Sequence, residues 1–289
     1  MLSAVISPRH PAGPSEVATH YDALDRFYRE LWGEHVHHGL WSTGRESAAE
    51  ATVRLVDRVA DLAGVAEGSL VCDVGCGYGG TARRLTADRG AEVTGLTISA
   101  AQHAWATARD ATGTGPRPRL LLLSWLDNGL EPASFDAVIA IESLSHMPDK
   151  PRAFAECARV LRPGGRLVLC DWLAGPRVND RGRRLLLEPI CREGHLPSMH
   201  TAPEYRALAQ DAGLRVLEQA DWSGQVSRTW AICLARLAGI LARDAEARRF
   251  LLSAQNPDRA FALSMARIPL AYAARVMRYG VLVAERPAG

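Results

Sequence analysis

Short apolar runs alternate with longer amphipathic stretches through the middle of the chain. Residues 69–74 (SLVCDV) are apolar and lead into glycines. Residues 80–89 have helical spacing, 91–97 (AEVTGLT) read as a second strand, and Ser99 opens a helix with Gln102 at capping-box distance. Residues 119–123 and 135–141 (FDAVIAI) are the third and fourth strands. An amphipathic helix over 151–161 is stopped by Pro163, Gly164 and Gly165, and 166–172 (RLVLCDW) form the fifth strand. Strands separated by helices of about 10–15 residues predict a mostly parallel sheet covered on both faces.

Beyond Trp172 the rhythm changes. Residues 179–192 have a helical pattern, and Thr201, Pro203 and Glu204 mark another capped helix start. Residues 214–221 read as a strand. Residues 225–275 are rich in Ala, Leu and Arg, helical, and longer than a crossover needs; 279–285 (YGVLVAE) form the last strand. The expected fold class is α/β. It is a doubly wound, mostly parallel seven-stranded sheet with an N-terminal helical cap and a helical insertion before the last strand. The expected divisions are a loose arm at 1–14, the cap at 15–64, a nucleotide-type core at 65–175, and 176–289 completing the sheet, with the insertion at about 223–279.

Composition narrows the class. The 289 residues are 47% hydrophobic and 23% charged, which excludes wholesale disorder. Net charge is +2 and no basic run stands out, so nucleic acid is not an expected partner. The six cysteines (72, 76, 157, 170, 191 and 233) contain no CxxC pair. Several lie in strand-like runs where a free thiol packs as a small hydrophobe, so a cytoplasmic protein without a disulfide framework is expected. No uncharged apolar run reaches the ~18 residues of a spanning helix. Lys150 is the only lysine, which reads as coding bias. Aromatics make up only 6%, yet Tyr21, Phe27, Tyr28, Trp32 and Trp41 crowd one N-terminal window.

The sharpest chemical signal is Asp73-Val74-Gly75-Cys76-Gly77-Tyr78-Gly79-Gly80, between a strand and a helix. Glycine permits a tight turn and close approach to a ligand, and the helix N-terminus offers unpaired N–H donors. Gly75-x-Gly-x-Gly79 differs from the dinucleotide spacing, although Gly80 would complete it. A carboxylate at Asp73 suits an ammonium-bearing ligand better than a pyrophosphate.

With these pieces the chain resembles the class I S-adenosylmethionine (SAM) methyltransferases. DVGCGYGGTARRL (73–85), VTGLTISAAQ (93–102), FDAVIAIESLSHMPD (135–149) and ARVLRPGGRLVLCDW (158–172) occur in family order. LWGEHVHHGLW (31–41) and LPSMHTAPEYRALAQDAGL (196–214) are most similar to a subgroup of tocopherol-type C-methyltransferases and bacterial sugar and natural-product methyltransferases. The resemblance implies a Rossmann-like fold and SAM as cofactor, with S-adenosylhomocysteine as product. It implies cofactor contacts at Asp73, Gly75, Gly77 and Gly79, at Thr97 and Gln102 for the ribose, and at Ile141. Two positions depart from the wider class. Thr97 stands where an acid is common, and Ser124 and Trp125 stand where an acid and a small residue usually meet adenine, with Asp127 near enough to substitute. Gln102 also reads as a plain cap, and Trp125 as core.

Methyl transfer to a hydroxyl or acidic carbon needs a base, and transfer to an alkene needs groups that tolerate a cation and then remove a proton. His146, past the fourth strand in ESLSHMPD, is the first candidate base. Glu142 and Asp171 follow, Glu142 reading equally as a carboxylate that anchors the cap or SAM. The sugar-methylating relatives often have two adjacent histidines; here Ser145 precedes His146. Tyr21 and Tyr28, seven apart, share a helix face that could stabilise a sulfonium or carbocation. Tyr21 is therefore a catalytic candidate, and Tyr28, His38, Trp41 and Trp172 are substrate-contact candidates. Phe27 and Trp32 read as packing. The cluster His35-Val36-His37-His38 lacks companion ligands at metal spacing, so no metal is expected.

These readings favour a SAM-dependent methyltransferase acting on a largely apolar small molecule, with carbon methylation of a prenylated, aromatic or isoprenoid acceptor first. Oxygen methylation of a sugar or polyketide, nitrogen methylation of an indole, and a pericyclase or binding protein on the same fold remain open, with a dinucleotide oxidoreductase last. The apolar insertion serves an acceptor or a homo-oligomer contact equally well.

Overall fold

The computed structural model describes residues 5–253, 256 and 261–288. Three helices, α1 (Pro14–Ala23), α2 (Asp25–Trp32) and α3 (Ala48–Ala63), precede the sheet. The core then runs β1 (Leu70–Val74), α4 (Gly80–Arg89), β2 (Glu92–Thr97), α5 (Ala100–Thr112), β3 (Arg119–Leu122), β4 (Phe135–Ile141), α6 (Lys150–Val160) and β5 (Leu161–Ala174). Next, α7 (Asp180–Gly182) passes through a π-helical stretch (Arg183–Leu187) into α8 (Glu188–Glu193). The chain closes with α9 (Ala202–Asp211), β6 (Arg215–Asp221), α10 (Ser223–Val226), α11 (Arg228–Arg243), α12 (Ala245–Leu252), α13 (Phe261–Ala273) and β7 (Met277–Glu285).

The seven strands lie in the order β3-β2-β1-β4-β5-β7-β6. Neighbours are parallel except at β7, which is antiparallel to both β5 and β6. The expected doubly wound, mostly parallel sheet is thus found. The central strands β1 and β4 read as continuous apolar runs because helices cover both their faces. β6, at the edge, has no fully buried residue. The strand order reverses between β1 and β4, and an open α/β sheet forms its ligand crevice at the carboxyl ends beside such a reversal.

The N-terminal cap is bolted over that crevice. Asp22 accepts from Ser99 Oγ (2.5 Å) and from the Ala101 amide (3.1 Å), so α1 sits on the N-terminus of α5, where unpaired N–H groups favour a carboxylate. Tyr78, buried in the glycine turn, donates its hydroxyl to Asp25 Oδ1 (2.8 Å) and so pins α2. The expected loose arm is docked over residues 5–13. Ile6 is buried and exchanges backbone hydrogen bonds with Met199 (2.9 and 2.7 Å), because an apolar side chain there finds both a pocket and a bridging partner. Residues 1–4 of that arm lie outside the described residues.

The expected helical insertion is made of several shorter helices. Asp244 starts α12 by accepting from the Glu246 and Ala247 amides (both 2.9 Å). Residues 254–255 and 257–260 of the insertion lie outside the described residues. Helix α13 is clipped to α8 by Glu193, whose buried carboxylate accepts from Ser264 Oγ (2.6 Å) and pairs with Arg267. Among the described residues no helix is long and apolar enough to cross a membrane.

Candidate active site

At the end of β1 the chain turns through Gly75, Gly77 and Gly79, all at positive φ (75°, 55° and 76°). A Cβ at Gly75 would collide with Ser143, whose hydroxyl donates to Val74 O (2.5 Å) and ties the ends of β1 and β4 together. This turn borders a cavity that is partly open to solvent. Asp73, Gly75, Gly77, Thr97, Gln102, Ser124, Trp125 and Ile141 all line it. Gly79 does not; it forms the N-cap of α4, so its part is to shape the turn. Asp127 does not reach the cavity either, because the 3₁₀ turn Trp125–Asp127 carries it away.

Asp73 is the chemically unusual member of this wall. It is 3% exposed, and its Oδ2 has no hydrogen-bond partner among the described residues. Burial pushes its carboxyl up to about 7, against the Ala82 backbone N–H that lowers it. A buried acceptor left unpaired is costly, and it calls for a cationic donor. Thr97 Oγ1 donates to Gln102 Oε1 (2.9 Å), while Ser99 Oγ caps α5 by accepting from the Gln102 amide (3.1 Å). Gln102 is therefore capped by Ser99 and turned toward Thr97. Trp125 donates to Ala153 O (3.0 Å) and is both core and cavity wall. An unpartnered carboxylate, a hydroxyl–amide pair and an apolar slot fit the ammonium, ribose and purine of SAM.

A second cavity lies beside the first. Tyr28, Trp32, Trp172, Trp230, Met265 and Ile268 are among its walls. Tyr21, Val36, Glu142 and His146 line both cavities and so stand at their junction. Glu142 is held in the left-handed region (φ 55°), a strained conformation for a side-chain-bearing residue. Its Oε1 accepts from the His38 amide (2.7 Å), His38 Nδ1 (2.9 Å) and the Tyr279 hydroxyl (2.8 Å), and its Oε2 from Trp172 Nε1 (3.0 Å). Burial alone raises this carboxyl. The His38 ring and amide, with His37 behind them, outweigh it and hold the group at about 2. Trp230 Nε1 donates to His38 Nε2 (2.7 Å), and indole can only donate, so His38 carries its proton on Nδ1.

The other pair at the junction is Tyr21 and His146. Their Oη and Nε2 are 3.0 Å apart, and His146 Nδ1 lies 3.4 Å from His195 O. A carbonyl only accepts, which leaves Nε2 as the acceptor of the Tyr21 proton. Burial, with His20, Lys150 and His195 nearby, lowers His146 to about 4 against the His195 carbonyl, so its ring is neutral at pH 7. Burial, and then Glu142 and Asp171, push the Tyr21 phenol up, so it keeps its proton.

Several expected site residues lie elsewhere. Asp171 lines neither cavity; its oxygens accept from Tyr205 (2.8 Å) and the Trp172 amide (2.9 Å) beneath the site, which excludes it as a base in contact with an acceptor. His38 is packed behind Glu142 and touches neither cavity. Trp41 faces a small recess against α3 and α11 and donates to Glu46 O (3.1 Å). Trp32, read as packing, is a wall of the second cavity, whereas Phe27 does pack, stacked on Phe250. Sequence reasoning named none of Trp230, Tyr279, Met265 and Ile268 as site residues, and all four come from the far end of the chain. His35 and His37 line the first cavity, with His35 Nδ1 and His37 Nε2 unpartnered among the described residues.

The geometry agrees with the comparisons. The profile of the mycolic acid cyclopropane synthetase family matches residues 11–247. The 27-O-demethylrifamycin SV methyltransferase of Amycolatopsis mediterranei is 35% identical over 231 residues, covering 78% of this chain and 84% of that protein. The chloroplastic tocopherol O-methyltransferase of Arabidopsis thaliana is 29% identical, covering 94% and 82%. Among solved structures, the [4+2]-cyclase SpnF is 26% identical with a TM-score of 0.77, covering 98% of this chain and 99% of that one. The chain therefore belongs to the mycolic acid cyclopropane synthetase family, and it is a SAM-dependent methyltransferase.

Proposed function

We propose that the protein methylates a carbon atom of a small, largely apolar acceptor, an electron-rich aromatic or an isoprenoid alkene, held in the aromatic cavity. When bound, SAM supplies an electrophilic methyl group on a sulfonium. Asp73, Thr97, Gln102 and the glycine turn would hold it, with Trp125 against the purine. Tyr21 and Glu142 stand where a methyl group would pass between the cavities. The acceptor's π pair forms the new carbon–carbon bond, and the sulfur keeps the electrons of the bond that breaks. The acceptor is left positively charged and must then lose a proton.

The observation that carries this reading is the ionised Glu142 in a cavity wall shared with the aromatic side chains of Tyr21, Tyr28, Trp172 and Trp230. Buried negative charge and aromatic faces stabilise a cation and oppose an oxyanion. His146 Nε2 would take the departing proton, directly or through the Tyr21 hydroxyl. A base held near 4 is matched to a proton leaving a cation, and poorly matched to a neutral hydroxyl. Oxygen methylation is the second reading, favoured by the names of the rifamycin and tocopherol relatives. The six free, buried cysteines support a cytoplasmic setting.

The test uses SAM labelled with ¹³C in its methyl group and three probe acceptors: a prenylated phenol, an isoprenoid alkene and a polyketide alcohol. Label found on carbon by NMR supports the proposal. Label on oxygen establishes the second reading. SAM binding with no transfer to any acceptor rejects both and favours a cyclase-like role.

A further inference from the structure

The chain's single lysine is buried in a place where no step above uses it. Lys150 is 2% exposed, and its Nζ donates to Met147 O (2.8 Å), Ser145 O (3.2 Å) and Ser198 Oγ (3.4 Å). An ammonium has three N–H donors, and here all three are used. Ser145 and Met147 flank His146 in the chain, so two of these bonds close the turn that carries it. The third reaches Ser198, three residues beyond His195, whose carbonyl faces His146 Nδ1. One cation thus ties the turn bearing His146 to the segment that orients its ring. A methionine would fill the same space, so burying an amine needs another reason.

We infer that Lys150 is a positioning residue that braces these two supports and so aims His146 Nε2 at the junction of the cavities. The inference rests on His146 being the proton acceptor of the proposed reaction. Asp171 on β5, itself bonded by Tyr205 of α9, is the carboxylate facing Lys150, and Cys191 of α8 is the thiol. His146 and His200 are the neighbouring rings on which its charge acts. Burial lowers the ammonium to about 8, against Asp171 and Cys191, which raise it. Deprotonation leaves two donors for three acceptors and removes the positive charge beside Asp171. The brace therefore loosens as pH rises past 8.

The decisive variant is Lys150→Met, which keeps the stem and removes the donors. A misaimed base should lower kcat about 10- to 100-fold while the Kd for SAM stays unchanged. The wild-type alkaline limb near pH 8 should disappear in the variant. A folded variant with wild-type kcat and an unchanged pH profile overturns the inference. If the variant does not fold, the wild type decides. With ¹⁵N at lysine Nζ the protein gives one amine signal, because it has one lysine. The His146 ring signals should shift as that amine titrates; ring signals that stay still through the titration overturn the inference. A fully active His146→Ala enzyme would remove the base assignment and leave this linkage standing, so the two failures are distinguishable.

Discussion

Asp73 and Glu142 look out of the same edge of the sheet, at the ends of the adjacent strands β1 and β4. Both are shielded from water, yet burial drives Asp73 up to about 7 while Glu142 is held at about 2. The difference lies in the donors. Glu142 collects four hydrogen bonds from His38, Trp172 and Tyr279. Asp73 Oδ2 has no partner among the described residues. A buried carboxylate whose donors the chain supplies is fixed by the fold, and one left without a partner has an oxygen free to accept from a ligand. The signs of their pH linkage are opposite. Glu142 contributes stability above its ordinary 4.5 that is lost as pH falls through about 2. Asp73 lowers the stability of the cofactor-free fold as pH rises from 3.8 through about 7.

The largest effect that separates the two should be on folding. Glu142→Ala strands four donors and should cost about 3–5 kcal/mol in urea unfolding. A variant as stable as wild type would remove Glu142 from the architecture. Next, His146→Ala should lower kcat ~100-fold or more while the Kd for SAM, read by calorimetry, stays the same. Retained activity would move the base elsewhere. Asp73→Asn should show the reverse of Glu142: an equal or higher unfolding midpoint, with SAM binding weakened by about 1.5–3 kcal/mol. In the wild type that binding should weaken about tenfold per pH unit below 7, since a protonated carboxyl pairs poorly with an ammonium. In the Asn variant the slope should vanish; a slope that persists would assign the titration to another group. The smallest effect is at Trp41, where Trp41→Phe loses the bond to Glu46 O and should cost about 1 kcal/mol with kcat unchanged. A fall in kcat would bring Trp41 back to the site.

The cofactor side was legible because it is built from contiguous sequence. Asp73, the three glycines, Thr97 and Gln102 lie on two strand–turn–helix units, and spacing alone places such residues at one sheet edge. The capping residues read well for the same reason. Thr201 and Glu204 form the expected box (2.8 Å), and Ser99 caps α5. The second cavity was not legible in this way. Sequence pattern marks which residues are buried but not what they are buried against: Trp32, read as packing, reaches the second cavity, and Trp41, read as a substrate contact, lines only the small recess. Asp171 had the position of a base in the chain, and only its bonds to Tyr205 and the Trp172 amide place it beneath the site.

The N-terminal crowding of aromatics also divides along this line. Tyr21, Tyr28 and Trp32 wall the second cavity, while Phe27 and Trp41 pack elsewhere. By itself the sequence determined the strand succession, the glycine turn and the carboxylate before it, because local sterics and short-range hydrogen bonds act over a few residues. Tertiary structure alone decided the state of Glu142 and the walls of the second cavity. Those depend on His38, Trp172, Trp230 and Tyr279 converging from remote parts of the chain, and burial and charge act through space.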